Sequence, residues 1–319
     1  MKLIFKIAVC SVFIIVAAFF LLKVPDTDPQ RMIDKYGQGA IRIDDGLGGN
    51  IYYRDQGPAD APVLLLIHGS NSSMQTWNAM IELLDEQYRL ISYDLHGHGL
   101  SGPHANNDYS ASAQIETALT VLDAAGVDKA IWVGNSMGGW LSWRAGLAVP
   151  ERVSGLVLID ASGVQGGEKQ ELYLAARIIK SRAGQFLANY ITPRSIVESS
   201  LTANYFDDSL INDALIDQYW ELSRFPGNRA AIAHRANVSR EPHVWNQIHN
   251  IDVPTLILWG EKDKVTPFSD AKRFQEMIVG SELVSYCNAS HLPMEETPLQ
   301  VAMDIDRWVS ERFSEPEVQ

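Results

Sequence analysis

A serine lies at the centre of the most chemically distinctive stretch of this chain, Gly134-Asn135-Ser136-Met137-Gly138. The stretch follows the apolar run Ala130-Ile131-Trp132-Val133, which is typical of a buried β-strand. A sharp strand-to-helix turn strains the serine backbone and requires small neighbours, and the glycines around Ser136 meet that requirement. The pattern predicts a nucleophilic serine beside the N–H groups of a helix that begins at Met137. A glycine-rich turn with an incidental serine is the alternative.

Ser136 needs two further groups before its hydroxyl can act as a nucleophile: a base that removes its proton and a third group that orients the base. We expect the base to be His291, which lies just beyond the last predicted strand, Leu283 to Tyr286. Parallel strands of an open α/β sheet gather functional groups at their carboxyl ends, so a histidine in that loop is well placed for the role.

Two carboxylates could orient the histidine. Asp263 follows the strand Thr255 to Trp259, which directly precedes the strand of His291, and it is the predicted acid. Asp160 ends the strand after the serine helix, which is another site from which a carboxylate could reach His291. The order along the chain favours Asp263 and leaves Asp160 as the alternative.

The charged oxygen that forms during attack on a carbonyl group needs hydrogen-bond donors that are already in place. We expect one donor to be the N–H of Met137, at the start of the helix after the serine. The second is the N–H of Ser70, in the loop that follows the apolar run Val63 to Ile67. His68, in the same loop, is interpreted as a structural residue that packs the loop.

Apolar runs alternate with helical stretches around these residues, and this alternation predicts a doubly wound, mostly parallel α/β sheet. From Gly163 to about Trp245 the chain is mostly helical, and strands resume beyond it. We interpret this part as a helical cap inserted into one sheet domain. The predicted divisions are an N-terminal segment 1–24, a tether 25–39, a core of 40–162 and 246–319, and a cap of 163–245.

The N-terminal segment is apolar and predicts attachment to a membrane. Ile7 to Leu22 carries no charge, and Lys2 and Lys6 precede it. Counted from Leu3, the segment has about 20 residues, enough to cross a bilayer core of about 30 Å. We expect an uncleaved single-pass anchor helix, with the catalytic domain on the non-cytoplasmic side. A cleaved signal peptide, which would leave a secreted or periplasmic protein, is the alternative.

The composition excludes some classes of partner. The formal net charge is −13 and no basic stripe is present, so nucleic acid is not an expected partner. The two cysteines, Cys10 and Cys287, do not form a disulfide framework. His96 and His98 have no third ligand at metal-binding spacing, so they do not predict a metal site. A serine, a histidine and an aspartate also require no metal or organic cofactor for their chemistry, and none is expected.

Several short motifs recur together along the chain: His68-Gly69, Asp94-x-x-Gly97-x-Gly99-x-Ser101, Gly134-x-Ser136-x-Gly138, Gly260-x-x-Asp263, and His291-x-Pro293 followed by Glu295-Glu296-x-Pro298. In combination they resemble the α/β-hydrolase family, over about residues 40–312. The resemblance implies that Ser136, Asp263 and His291 form a catalytic triad. It also implies that Met137 and Ser70 supply the oxyanion hole and that the cap is a lid over the pocket.

Within that family the chain is similar to the serine esterases and lipases, including membrane-anchored, monoacylglycerol-lipase-like members. Position 136 is serine, whereas the haloalkane dehalogenases and epoxide hydrolases use an aspartate nucleophile. The resemblance implies a serine carboxylester hydrolase that forms an acyl-enzyme on lipid-like or small carboxylic esters. A carbon–carbon bond hydrolase of the meta-cleavage-product type, against which Ser70-Asn71-Ser72-Ser73 counts, stays open. So does a non-catalytic binding protein on the same fold.

Overall fold

The computed structural model describes residues 17, 19–165, 182–235 and 244–313. The strands cross the central sheet in the order β1-β2-β4-β3-β5-β6-β7-β8, where β2 pairs antiparallel with β1 and β4 and the other pairs are parallel. The prediction of a doubly wound, mostly parallel sheet is confirmed. The strands are β1 (Ile41–Asp44), β2 (Asn50–Gln56), β3 (Val63–Ile67), β4 (Arg89–Tyr93), β5 (Ala130–Asn135), β6 (Val153–Ile159), β7 (Thr255–Gly260) and β8 (Glu282–Tyr286).

The register of the parallel strands brings their carboxyl ends to one edge of the sheet. Ile67, which ends β3, lies beside Gly134 of β5. Asn135, which ends β5, lies beside Ile159 at the end of β6, and β7 and β8 end beside each other in the same way. The loops that follow these five strands therefore open on the same edge.

The central strands are apolar throughout because both faces of the sheet are covered. Leu65 and Trp132 pack into the core on one face, while Leu64 and Ile131 pack into the core on the other. A strand that is buried on both sides has no solvent-facing positions, so polar and apolar residues do not alternate along it.

Helices connect the strands and cover the sheet. Some begin at a recognisable cap: the Ser110 side chain accepts a hydrogen bond from the Ala113 N–H at 3.2 Å in the first turn of the helix after β4. The helices are α1 (Pro29–Tyr36), α2 (Asn78–Leu84), α3 (Ala111–Ala124), α4 (Met137–Ala148), α5 (Arg182–Ala188), α6 (Arg194–Asn204), α7 (Asp213–Ser223), α8 (Asn228–Arg235), α9 (Phe268–Met277), α10 (Pro293–Glu296) and α11 (Pro298–Phe313).

Between β6 and β7 the chain forms the four helices α5 to α8 in the part that the structure describes. The Arg194 side chain connects α6 to α7, with hydrogen bonds of 2.6 Å to Asp213 and 2.7 Å to Asp217. Residues 166–181 and 236–243 of the predicted cap lie outside the described residues. The bounds of a core and a cap stay a prediction.

Residues 25–39, the predicted tether, contain helix α1 and pack against the helices between β6 and β7. The Asp28 side chain caps α1 by accepting a backbone hydrogen bond at 2.8 Å. Met32 of α1 is fully buried in a small cluster with Leu222. Asp26 forms an ion pair of 2.5 Å with Arg229. This stretch is therefore attached to the folded domain along its length.

The prediction of a single-pass membrane anchor over residues 1–24 is wrong: no helix among the described residues combines the length and the apolar character needed to cross a membrane. Residues 1–16 and 18 of that segment lie outside the described residues. At its described end, the Phe19 ring stacks on Phe186 at 6.4 Å and meets Tyr190 edge-on at 5.8 Å. Phe19 is therefore in contact with aromatic rings of the protein, whereas Leu21 and Leu22 of the same segment are exposed. The membrane location and membrane partner that rested on the anchor are withdrawn with it.

Trp308 of α11 tests the packing of helices on the sheet. Its side chain is fully buried, and a Cβ on Gly155 of β6 would lie 3.0 Å from its ring. We expect Trp308→Ala to lower the free energy of unfolding by about 3–5 kcal/mol, because it leaves a cavity that the sheet cannot fill. Leu299→Ala on the same helix, where the side chain is 58% exposed, should change it by less than about 0.5 kcal/mol. Urea denaturation measures both, and equal losses would contradict this packing.

Candidate active site

Ser136 lies in a strained turn between β5 and α4, with φ 54° and ψ −112°. Positive φ is uncommon for a residue with a Cβ and persists only where the surroundings enforce it. The neighbours are glycines because side chains would not fit. A Cβ on Gly134 would overlap the backbone of Gly138, and a Cβ on Gly138 would overlap the Ile67 carbonyl. The turn has the strand–turn–helix form that the sequence predicts for a nucleophilic serine.

Hydrogen bonds from neighbouring segments hold the Ser136 backbone in this conformation. Its N–H donates to the Ile159 carbonyl at 3.0 Å, and its carbonyl accepts from the N–H and the hydroxyl of Ser162 at 3.0 and 3.2 Å. Ser136 as a whole is half-buried, so part of it remains accessible to solvent. The turn is therefore fixed by the β6 side of the sheet while the serine stays reachable.

Asp263 and His291 form a buried hydrogen-bonded pair in the loops after β7 and β8. His291 Nδ1 lies 2.7 Å from Asp263 Oδ2, and both side chains are less than a tenth exposed. The other donors to Asp263 are the N–H groups of Val265 and Thr266, at 2.6 and 2.9 Å, and the Thr266 hydroxyl, at 2.6 Å. The structure thus brings together the acid and the base that the sequence predicts.

The surroundings of Asp263 keep it ionised. Burial alone would raise its pKa, but the attraction and hydrogen bond of His291 and the hydrogen bond of the Thr266 hydroxyl outweigh burial and lower the pKa. An ionised carboxylate only accepts hydrogen bonds, so His291 Nδ1 carries the proton between the two groups. In the neutral imidazole, Nε2 is then the nitrogen with a free lone pair.

Contacts join the loop after β8 that carries His291, the histidine loop, to the turn that carries Ser136, the serine turn. The side-chain amide of Asn135, which directly precedes Ser136, donates to the His291 carbonyl at 3.0 Å. A Cβ on Gly260 would overlap the Ser290 carbonyl, so the end of β7 also touches the histidine loop. Among the hydrogen bonds of the described residues, none joins the Ser136 hydroxyl to the His291 ring. In active sites without substrate such bonds are often long and tighten in the complex.

Ser70 and Met137 lie side by side near Ser136. Ser70 Oγ is 3.3 Å from Met137 Sδ, and a Cβ on Gly69 would lie 3.1 Å from Ser136 Cβ. Neither the Ser70 N–H nor the Met137 N–H donates a hydrogen bond to another described residue. Met137 is the first residue of α4, where backbone N–H groups have no partner within the helix. Two free N–H donors therefore lie beside the serine.

Three buried histidines shape the loops around these donors. His68 Nε2 accepts from the Leu95 N–H at 3.1 Å, so its Nδ1 carries the proton that reaches the Gly69 carbonyl at 2.7 Å. Burial lowers the pKa of His68 and of His96 to about 4 each and that of His98 well below its usual value. His68 is thus a neutral ring with both nitrogens bonded to the backbone, which is the structural role that the sequence suggests.

Asp160, the alternative acid, lies next to Asp263, and it is Asp263 that bonds to His291. Ligand atoms of these three residues lie within 4.8 Å of one another, and they are the one group of three or more possible metal ligands among the described residues. A metal does not fit this set. Both Asp263 oxygens and His291 Nδ1 already take part in hydrogen bonds of 2.6 to 2.9 Å, and a shared ion would have to displace these donors.

Glu295, to which the sequence motif alone gives no role, joins the helices between β6 and β7 to the histidine loop. Its carboxyl group accepts hydrogen bonds from the hydroxyls of Thr76 and Tyr205, and from that of Tyr219 at 2.6 Å. Burial raises the pKa of Glu295, although the three hydroxyls act in the opposite direction. The only sequence signal for this role of Glu295 is its position just after the motif His291-x-Pro293.

His68 makes the stability of the protein depend on pH in a predictable direction. An unfolded histidine takes up a proton near pH 6.5, whereas folded His68 stays neutral down to about pH 4. The unfolded state therefore binds more protons in this window, and stability falls as the pH drops through it. We expect His68→Gln to reduce that fall by about 1 kcal/mol per pH unit. Denaturant titrations at several pH values measure the slopes. The exposed His249→Gln should keep the wild-type slope, and a His68 variant with that slope would contradict the argument.

A family model described as the alpha/beta hydrolase fold matches residues 62–298. A non-heme chloroperoxidase from Streptomyces lividans is 30% identical to this chain over 275 residues, which cover 79% of this chain and 92% of that protein. A bifunctional esterase/perhydrolase from Acinetobacter calcoaceticus is 27% identical over 263 residues, with the same coverage of 79% and 92%. A solved structure of a meta-cleavage product hydrolase from Pseudomonas fluorescens IP01 has 25% identity and a TM-score of 0.68, and covers 83% of this chain and 96% of its own. The chain belongs to the α/β-hydrolase fold family.

Proposed function

We propose that this protein is a serine carboxylester hydrolase that acts through an acyl-enzyme on lipid-like or small carboxylic esters. The observation that carries the proposal is the buried Asp263–His291 hydrogen bond of 2.7 Å, in a loop that the Asn135 side chain joins to a serine in a strained strand-to-helix turn. A carboxylate that orients an imidazole next to a serine is the arrangement that turns a weakly nucleophilic hydroxyl into a strong one.

In the proposed reaction, His291 Nε2 takes the hydroxyl proton of Ser136 while the serine oxygen attacks the ester carbonyl carbon. The carbonyl oxygen becomes negatively charged and accepts hydrogen bonds from the N–H groups of Met137 and Ser70. The imidazolium then protonates the departing alkoxide, and the acyl group stays on Ser136. Water next gives a proton to His291 and attacks the acyl carbon. The bond from that carbon to the Ser136 oxygen then breaks, His291 returns the proton to the serine oxygen, and the carboxylic acid leaves. No step uses a metal or an organic cofactor.

Asp263 supports this reaction through its charge and its position. Its lowered pKa keeps it ionised at neutral pH, so it stabilises the positive charge that His291 acquires in each half of the reaction. Its hydrogen bond to Nδ1 also directs the free Nε2 away from the acid. A neutral replacement at this position would lose the charge and could stabilise the wrong tautomer.

Two observations support an ester as the substrate, with an apolar group attached to it. The relative from Acinetobacter calcoaceticus is named as an esterase/perhydrolase. Phe206, whose N–H donates to Glu296 at 2.6 Å close to the histidine loop, is 52% exposed. An accessible apolar surface near the site favours esters with an apolar acyl or alcohol group.

Replacement of Ser136 tests the mechanism. We expect Ser136→Ala to reduce kcat on p-nitrophenyl esters by a factor on the order of 10⁶, because no other group can form the acyl-enzyme. Ser199→Ala, at an exposed serine of α6, should keep the wild-type rate. A series of esters from acetate to palmitate, with the Ser136 variant as the blank, gives the preferred acyl length.

A folded Ser136→Ala protein with full esterase activity would contradict this mechanism. A fluorophosphonate probe checks the same serine without a substrate, since it labels only an activated hydroxyl. Failure of the wild-type chain to react with it at neutral pH would favour a non-catalytic binding protein on this fold.

A carbon–carbon bond hydrolase is the second candidate, because the meta-cleavage product hydrolase is similar at 25% identity over 83% of this chain. It would use the same serine, histidine and aspartate. We expect p-nitrophenyl esters to be hydrolysed with the larger kcat/KM, since p-nitrophenolate can leave without prior protonation whereas a carbon leaving group first needs protonation of the dienoate. Competition between an ester and a vinylogous diketone measures the ratio. A larger kcat/KM for the diketone would replace the ester proposal.

A further inference from the structure

Asp160, at the end of β6, has no part in the reaction above, yet its carboxyl group is fully buried next to the groups that do. Its backbone has φ 44°, in the left-handed region that aspartate tolerates better than most residues. Oδ1 accepts a hydrogen bond from the Gly260 N–H at 3.0 Å. Oδ2 is buried and has no hydrogen-bond partner among the described residues. A buried carboxyl oxygen without a partner is costly, so this one requires an explanation.

The explanation lies in the neighbouring carboxyl group. One oxygen of Asp160 and one of Asp263 lie within 4.8 Å of each other and of a His291 ring nitrogen. Two buried carboxylates this close cannot both be ionised without strong repulsion, so the pair retains a proton. Asp263 accepts hydrogen bonds from two backbone N–H groups, a hydroxyl and an imidazole, whereas Asp160 accepts one. The negative charge is therefore better stabilised on Asp263, and the proton belongs to Asp160.

We propose that Asp160 is a protonated carboxylic acid that donates a hydrogen bond from Oδ2 to the Asp263 carboxylate and so acts as a positioning residue for the Asp263–His291 pair. Its importance for hydrolysis rests on the proposed function. The hydrogen bond gives Oδ2 the partner that it otherwise lacks. It also restrains Asp263, so that the carboxylate keeps its orientation when the imidazole gains and loses a proton.

The titratable groups around Asp160 favour its neutral form. Burial, first, and then the negative charge of Asp263 raise the pKa of Asp160 well above its usual value, and Glu296 adds to the effect. His291 is the one group in the cluster that can become positive, and its Nδ1 is bonded to Asp263. Tyr286 also faces this site, and burial above all raises its pKa, so it stays neutral as well. None of these neighbours stabilises a negative charge on Asp160, so its carboxyl group is neutral at neutral pH.

Two substitutions separate hydrogen-bond donation from the filling of space. Asp160→Asn keeps the shape and places an NH₂ donor where the carboxyl O–H lies. Asp160→Gly removes the donor and adopts φ 44° without strain. We expect the Asn variant to keep the wild-type kcat and pH profile. We expect the Gly variant to lose about tenfold in kcat, the effect of one hydrogen bond to a charged group.

The Gly variant should also shift the acidic limb of kcat/KM to higher pH, since an Asp263 charge that is no longer shared with Asp160 favours the imidazolium. Asp252→Asn, at an exposed acid before β7, is the matched control and should change nothing. A Gly variant with the wild-type kcat and pH profile overturns the proposal. An Asn variant as impaired as the Gly variant also overturns it, because Asp160 would then be required in its ionised form.

Infrared difference spectroscopy tests the proton without any measurement of activity. In the Ser136→Ala background, the spectrum of the chain with Asp160 minus that of the chain with Asp160→Asn should contain the carbonyl band of a protonated carboxylic acid at neutral pH. Carboxylate bands in place of the acid band would overturn the assignment of the proton to Asp160. They would do so even if Ser136→Ala abolishes hydrolysis, which supports only the proposed function. The acid band together with unchanged esterase activity of Ser136→Ala would support the proton on Asp160 and reject the proposed function alone.

Discussion

A negative charge buried at the edge of the sheet is the constraint on which this site depends. Transfer of a carboxylate out of water costs several kcal/mol unless other donors replace its hydration. For Asp263 the loop that follows it supplies three donors, from Val265 and Thr266, and His291 supplies the fourth. The parallel strands make this possible because β7 and β8 end side by side, which brings two loops that are distant in sequence to the same carboxylate.

The buried, neutral ring of His68 fixes the orientation of the peptide between Gly69 and Ser70, and with it the direction of the Ser70 N–H. His68 Nδ1–H holds the Gly69 carbonyl at 2.7 Å, while its Nε2 is fixed by the Leu95 N–H. In a trans peptide the carbonyl and the next N–H point in opposite directions, so a fixed Gly69 carbonyl also fixes the direction of the Ser70 N–H. The depressed pKa of His68 is part of this arrangement, because a protonated ring could not accept from Leu95. The direction of the Ser70 N–H, the predicted second oxyanion donor, is thus fixed by the buried side chain of His68.

Local patterns in the sequence predict the strands, the serine turn and the loops that carry the acid and the base, because continuous apolar runs and glycines act over a few residues. They do not decide between Asp160 and Asp263, since both residues follow neighbouring parallel strands and the structure places them side by side. Local patterns also cannot predict contacts between residues that are distant in sequence. The three hydroxyls that donate to Glu295 belong to residues that are separated from it by 76 to 219 positions. The anchor prediction rested on apolar character over residues 3–22, and no helix among the described residues has the length and apolar character needed to cross a membrane.

Hydrogen bonds join the helices between β6 and β7 to the loop that carries His291. The His291 N–H donates to the Asn204 carbonyl at 2.9 Å. The Glu296 carboxylate accepts from Ser290 on the histidine side at 2.7 Å and from Phe206 on the helical side at 2.6 Å. Movement of residues 204–206 away from the sheet would break these hydrogen bonds and expose the hydroxyl cluster on Glu295, each bond at a cost of about 1 kcal/mol. Residues 204–206 are therefore held to the histidine loop, although they lie within the range 163–245 that the sequence predicts as a cap.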